Sequence, residues 1–302
     1  MPKAKVNGIN IAYDVSGKGE PLVLIMGLGG TRQSWVFQKQ AFGKHFKVIT
    51  FDSRGIGKSD KPDEPFNIKT LADDAVGLMT HLDIEKAHVL GVSHGGRVAQ
   101  EVAINYPNKV IKLVLASTNT GAEGIDDLTP EVLQAFGRKK RSGQSDIVYT
   151  GMKKCTICQA ELQGKDIWEH LWAVHRPQML KWAKQSIDFP KIISLGFNKR
   201  FYRMFILPLA LLQLKLGGIE GHIRLIEATV GNSTVDRLHL IKASTLVILG
   251  TEDKFCPPRS VEALATRIPN AKLVKIEGGS HNILVEMKSR FNKEVLDFLR
   301  DS

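Results

Sequence analysis

Gly91, Val92, Ser93, His94 and Gly95 fit the pattern G-x-S-x-G. The run follows the apolar stretch AHVLGV and precedes the helix-compatible stretch HGGRVAQEVAINY. A sharp turn from strand to helix lifts a serine oxygen clear of a sheet, and glycines two residues to either side let strand and helix approach closely. The helix start then offers free backbone N–H groups and a favourable dipole to a developing oxyanion. A serine placed in this way is a candidate nucleophile. A neutral hydroxyl needs a base, and the base needs an acid to orient it.

For a serine on such a turn the expected chain order is Ser, then Asp or Glu, then His. The segment LVILGTEDKFCPP puts Asp253 just past one apolar run, and KIEGGSHNILVE puts His281 just past the next. Taken singly, Asp253 reads as a turn residue before Pro257 and His281 as a surface histidine. Taken in order, each after its own strand, they read as acid and base. The oxyanion donors expected are the backbone N–H groups of His94 and of Leu28, the latter in the loop IMGLGGT with Gly27, Gly29 and Gly30. The His94 imidazole is expected to diverge from Ser93 on the new helix.

These residues need a frame that gathers strand ends. INIAYDV alternates as a half-buried strand, whereas PLVLIMG, FKVITFD, AHVLGVS and VIKLVLAST are apolar throughout. TRQSWVFQKQAFGK reads as a helix capped by Thr31 or Ser34, and NIKTLADDAVGLMTHLDI carries Ile68, Leu71, Ala72, Ala75, Leu78, Met79 and Leu82 at helical period. Fully apolar strands separated by helices indicate a parallel sheet covered on both faces. The rhythm stops after Ser117 and resumes with STLVILG, so residues 1–120 and 221–302 read as one α/β core and 121–220 as a helical insertion with no clear strand.

Composition bounds the rest. A chain of 302 residues with 43% hydrophobic and 24% charged residues is ordinary globular material. It has no apolar run of about eighteen residues, and its N-terminus lacks the charged-then-apolar pattern of a signal peptide. With only three cysteines, a disulfide framework is not expected, and a cytoplasmic location without integral membrane association is. The net charge of +11 is spread along the chain apart from GRKKRSG, Arg138 to Arg141, near Lys153 and Lys154.

With the elbow, acid and base in place, the sequence resembles the α/β-hydrolase superfamily, in particular small esterases and lactonases with a helical cap. DSRGIGKSD, Asp52 to Asp60, is similar to that family's D-x-R-G-x-G-x-S turn, and RLHLIKASTLVILG to its segment leading into the acid strand. The resemblance covers residues 1 to about 120 and about 220 to 302. It implies an α/β-hydrolase fold with a mostly parallel sheet, helices on both faces and a cap at 121–220. In it the turn around Arg54 is structural. Where the family usually has His-Gly in the oxyanion loop, this chain has Met26-Gly27, which removes a supporting side chain and leaves the backbone donors.

Within the insertion, Cys155, Cys158, His170 and His175 are spaced C-x2-C-x11-H-x4-H. Two thiolates and two imidazoles complete a tetrahedral zinc site with no open position, so the metal expected here is structural, stapling an insertion too small to build its own core. Leu162 and Ile167 stand where a small finger keeps its apolar pair. The alternative keeps the cysteines as small buried hydrophobes and the histidines as polar residues of the cap. One finger reads only about three base pairs, and no nucleic acid is expected as a partner.

The expected function is hydrolysis of a small-molecule carboxylic ester or related acyl compound, with no catalytic cofactor. Thioesters, lactones and carbon–carbon bonds are alternatives open to the same triad. A serine at position 93 disfavours dehalogenase and epoxide-hydrolase chemistry, which in this superfamily use an aspartate there. FYRMFILPLALLQLKLGGI, with Met204, Phe205, Leu209 and Leu212, is apolar enough to line an acyl pocket, and equally suited to packing on the core. A nucleic-acid-binding protein on a retired fold would show a damaged triad; this one is intact. A lipid-surface enzyme, its cap and basic residues meeting anionic membrane, is a third reading.

Overall fold

The computed structural model describes residues 1–28, 30–121, 130–135, 138–140, 147–149, 176–177, 180–181, 183–185, 187–195, 197, 218–229 and 232–301. The described strands are β1 (Lys3–Val6), β2 (Ile9–Ser16), β3 (Pro21–Ile25), β4 (Lys47–Phe51), β5 (Ala87–Val92), β6 (Val110–Ala116), β7 (Arg138–Lys140), β8 (Ile147–Tyr149), β9 (Ser244–Gly250) and β10 (Ala271–Ile276). Eight form one sheet in the order β1-β2-β4-β3-β5-β6-β9-β10, while β7 and β8 pair separately. β2 runs antiparallel to β1 and β4, and from β4 to β10 every pair is parallel. The carboxyl ends of β3, β5, β6, β9 and β10 therefore share one edge. Strand order reverses between β3 and β5, where an α/β sheet opens a crevice for ligands.

Period-two alternation sends the apolar strands into two cores. In β5, Ala87 and Val89 join one and Leu90 and Val92 the other; in β9, Val247 and Leu249 part from Leu246 and Ile248. Helices α1 (Val36–Phe42), α2 (Ile68–His81), α3 (His94–Asn105), α4 (Pro130–Ala135), α5 (Phe189–Leu195), α6 (Ile219–Glu227), α7 (Pro258–Arg267), α8 (Ile283–Glu286) and α9 (Lys288–Arg300) follow in chain order. α2, α3 and α7 cover the first face, and α1 and α9 cover the second with Trp35, Phe42 and Phe291 fully buried. Each such side chain contributes about 1.5–3 kcal/mol relative to exposure.

Local signals set the element ends. Asn67 caps α2, its Oδ1 accepting from Thr70 N–H at 2.8 Å while Thr70 Oγ1 accepts from Asn67 N–H at 3.4 Å. The helix expected over TRQSWVFQKQAFGK is divided into a 3-10 turn, Arg32–Trp35, and α1. Its cap is Thr31, whose side chain accepts from Gln33 N–H at 3.3 Å. The arginine-and-lysine run differs from expectation. Arg138–Lys140 is a strand, paired antiparallel with Ile147–Tyr149. Strand formation here comes from the pairing partner, which propensity does not report.

Arg54, read as structural, forms a two-pronged ion pair with the buried Asp74, Nε–Oδ2 2.7 Å and Nη2–Oδ1 2.8 Å. It ties the turn after β4 to α2 and leaves the site to other residues. No helix among the described residues is long and apolar enough to cross a membrane.

Candidate active site

Ser93 sits between the last residue of β5 and the first of α3, with φ 55° and ψ −122°. A non-glycine residue in this region is strained, and the neighbours hold it there. Its N–H donates to Ala116 O at 2.9 Å, and its carbonyl accepts from Gly96 N–H at 2.8 Å and Thr118 Oγ1 at 2.6 Å. The turn is tight: a Cβ at Gly91 would overlap the Gly95 carbonyl, and one at Gly95 would overlap Ile25 O. The elbow thus needs both outer glycines of the motif.

Three strand ends bring the reactive groups together. Ser93 Oγ–H donates to His281 Nε2 at 2.9 Å. His281 Nδ1–H donates to Asp253, with Oδ2 at 2.8 Å and Oδ1 at 2.9 Å. Asp253 Oδ1 also accepts from Phe255 N–H at 2.8 Å and Cys256 N–H at 2.9 Å. The Asp253 side chain is fully buried and that of His281 is 15% exposed, so the carboxylate is shielded while the imidazole borders the crevice. This geometry fixes the tautomer: Nδ1 carries the hydrogen, and Nε2 is free to take one from the serine.

The loop after β3 and the start of α3 both lie beside Ser93. Gly27 approaches so closely that a Cβ built on it would lie 3.0 Å from Ser93 Cβ. The loop bearing Leu28 therefore passes beside Ser93. His94 is the first residue of α3, so its N–H has no intrahelical acceptor by position. Its imidazole turns away as expected: Nε2 lies 3.1 Å from Leu225 O, and burial is the main cause that pushes its pKa down to about 4. Met26, standing where the resembling family has histidine, packs against the second core and lies beside Gly30.

Sequence reading missed several participants. Thr118, one residue past the Ser117 that follows β6, anchors the Ser93 carbonyl; its position at the next strand end was the available signal. Cys256, held above the ordinary thiol pKa mainly by burial, has its Sγ near Asp253 and His281, and Asn119 Nδ2 donates to it at 3.7 Å. Phe255, two residues past the acid, rests on the imidazole with ring centroids 5.1 Å apart. The four zinc candidates, Cys155, Cys158, His170 and His175, lie outside the described residues, as do Arg141, Met204, Phe205, Leu209 and Leu212.

Comparison with known proteins agrees with this architecture. Residues 20–142 match a family model described as alpha/beta hydrolase fold, and residues 228–302 one described as TAP-like protein. The enol-lactonase from Burkholderia xenovorans superposes with a TM-score of 0.75 over 99% of this chain and 100% of that one, at 24% identity. The chain has the α/β-hydrolase fold. Two curated proteins are similar along most of their length. A poly(3-hydroxyalkanoate) depolymerase of Ectopseudomonas oleovorans is 27% identical over 93% of this chain and 84% of its own. A putative carbamate hydrolase of Caulobacter segnis is 26% identical over 99% of each. In this α/β-hydrolase fold, Ser93, Asp253 and His281 stand on three loops at one edge of the sheet.

Proposed function

We propose that this chain is a serine hydrolase that cleaves a carboxylic ester or related acyl substrate through Ser93, His281 and Asp253. The observation that carries the reading is the unbroken line of hydrogen bonds from Ser93 Oγ through both imidazole nitrogens to Asp253. Ser93 Oγ attacks the carbonyl carbon as His281 Nε2 takes its proton. Asp253 holds the imidazole in one tautomer and stabilises the imidazolium. The N–H groups of Leu28 and His94 receive the oxyanion. His281 returns the proton to the leaving group, and water, activated by the same nitrogen, releases the acyl group.

The depolymerase, carbamate hydrolase and enol-lactonase above support hydrolysis and leave the bond open. Lactones, thioesters and carbon–carbon bonds are the second reading, since the same groups serve each carbonyl. Residues 121–220 are proposed as a cap that selects the acyl group. A structural zinc on Cys155, Cys158, His170 and His175 rests on spacing alone, and no catalytic step passes through it; metal analysis of wild type and Cys158→Ala tests it.

Hydrolysis of chromogenic esters from acetyl to dodecanoyl, by wild type and Ser93→Ala, tests the central reading. Turnover that vanishes in the variant supports it, and the preferred chain length gauges the pocket. Equal inactivity of both proteins across the series rules out simple ester hydrolysis and moves the test to lactones and thioesters.

A further inference from the structure

Phe255 touches three parts of the molecule at once. Its N–H donates to Asp253 Oδ1 at 2.8 Å. Its ring lies against the His281 imidazole at an interplanar angle of 57°. It also packs on the small apolar cluster of the insertion, where Val132 and Ala135 of α4 meet Leu195 of α5, with Ile192 beside them. The two helices are tied further by Asp188 N–H, which donates to Ala135 O at 2.8 Å.

We infer that Phe255 is a positioning residue through which the insertion sets the orientation of the His281 imidazole. The inference rests on the proposed role of His281 as the base. Both hydrogen bonds to the imidazole lie at ring nitrogens, so they fix its ends and leave it free to rock about the line between them. A phenyl ring tilted against the imidazole restrains that rocking without offering a competing donor or acceptor. On its other side, the cluster of α4 and α5 keeps the phenyl ring from following. Displacement of those helices therefore reaches the base through one side chain.

The backbone tie to Asp253 survives any substitution except proline, so side-chain variants isolate the effect of the ring. Two readouts are needed: kcat and KM across the ester series, and the downfield proton resonance of His281 Nδ1–H in the resting protein. Phe255→Leu is expected to lower kcat about tenfold for every chain length, with KM within about threefold, because a small misplacement of a catalytic group is costly. Its Nδ1–H resonance is expected to shift or broaden, whereas Phe255→Tyr restores both readouts. Leu195→Ala, remote from the triad, is expected to reproduce part of the loss and to add little when combined with Phe255→Leu. A KM effect that depends on chain length, with the resonance unmoved, would make Phe255 a wall of the substrate pocket and overturn the inference; additive losses in the double variant would do the same. Should Phe255→Leu unfold, Leu195→Ala decides the matter through the resonance. If no ester is hydrolysed by wild type, the resonance still tests positioning, so the two proposals fail separately.

Discussion

Asp52 and Asp253 both lie past a strand end on the same edge of the sheet, Asp52 after β4 and Asp253 after β9, and both are buried. Each accepts two backbone N–H groups, Asp52 from Arg32 at 2.8 Å and Lys58 at 2.9 Å, Asp253 from Phe255 and Cys256. They differ in the side chain opposite. Asp52 meets the guanidinium of Arg32, which offers N–H donors and no acceptor. Asp253 meets an imidazole, which has a second ring nitrogen, and that far nitrogen reaches Ser93. Burial and backbone bonding are alike, so the chemistry comes from the partner.

The largest effect expected breaks that comparison in two. Asp253→Asn should lower kcat by about ten-thousandfold, because the amide favours the wrong tautomer of His281, while the fold persists. Asp52→Asn should do the reverse. It takes from Arg32 its fully buried carboxylate and leaves only the part-exposed Asp14, 3.3 Å from Nε, so the cost falls at or below the about 3–5 kcal/mol of a buried pair broken outright. Denaturant unfolding alongside steady-state kinetics would show both, with kcat per folded molecule of the Asp52 variant within about threefold of wild type. A stable but inactive Asp52→Asn would undo the distinction.

Much of this site could be read from residue order. The strands at 87–92 and 244–250 are mostly apolar, and Ser93 follows the first directly while Asp253 lies three residues past the second, so the placement of both on one edge of the sheet was legible. The adjacency of β3 and β5, which brings Gly27 beside Ser93, is a matter of strand order that periodicity does not carry. Phe255 was hidden for the same reason, and Thr118 showed only its place past a strand end. Their roles depend on which loops become neighbours across the sheet. The strand at Arg138–Lys140 escaped because its sequence has no alternating pattern. Cys155, Cys158, His170 and His175 lie outside the described residues, so their spacing remains the whole argument for zinc.

A second contrast lies between the two histidines beside Ser93, His94 next to it in the chain and His281 bonded to its Oγ. His281 faces the crevice, whereas burial holds His94 unprotonated down to a pKa of about 4. In the unfolded chain a histidine takes up its proton near pH 6.5. Stability from a neutral His94 is therefore complete above pH 6.5 and is lost as pH falls towards 4, a change of about 3 kcal/mol by proton linkage. His88 and His222, also lowered chiefly by burial, act in the same direction. Urea unfolding at several pH values should show a shallower acid decline for His94→Asn than for wild type; identical slopes would remove His94 from the account.

The smallest effect concerns the strained turn. Thr118→Val removes the hydroxyl that donates to the Ser93 carbonyl at 2.6 Å, at a cost of about 1 kcal/mol in thermal or denaturant unfolding. An unchanged midpoint would show that the Ala116 and Gly96 bonds hold the elbow without it.

The central claim is that His281 makes Ser93 nucleophilic. Incubation with a fluorophosphonate followed by peptide mass spectrometry tests it without knowledge of the substrate. The account predicts one phosphonyl adduct on the peptide carrying Ser93 in wild type, and its near-complete loss in His281→Gln. An unlabelled Ser93 in folded wild-type protein, or equal labelling in both proteins, would contradict it.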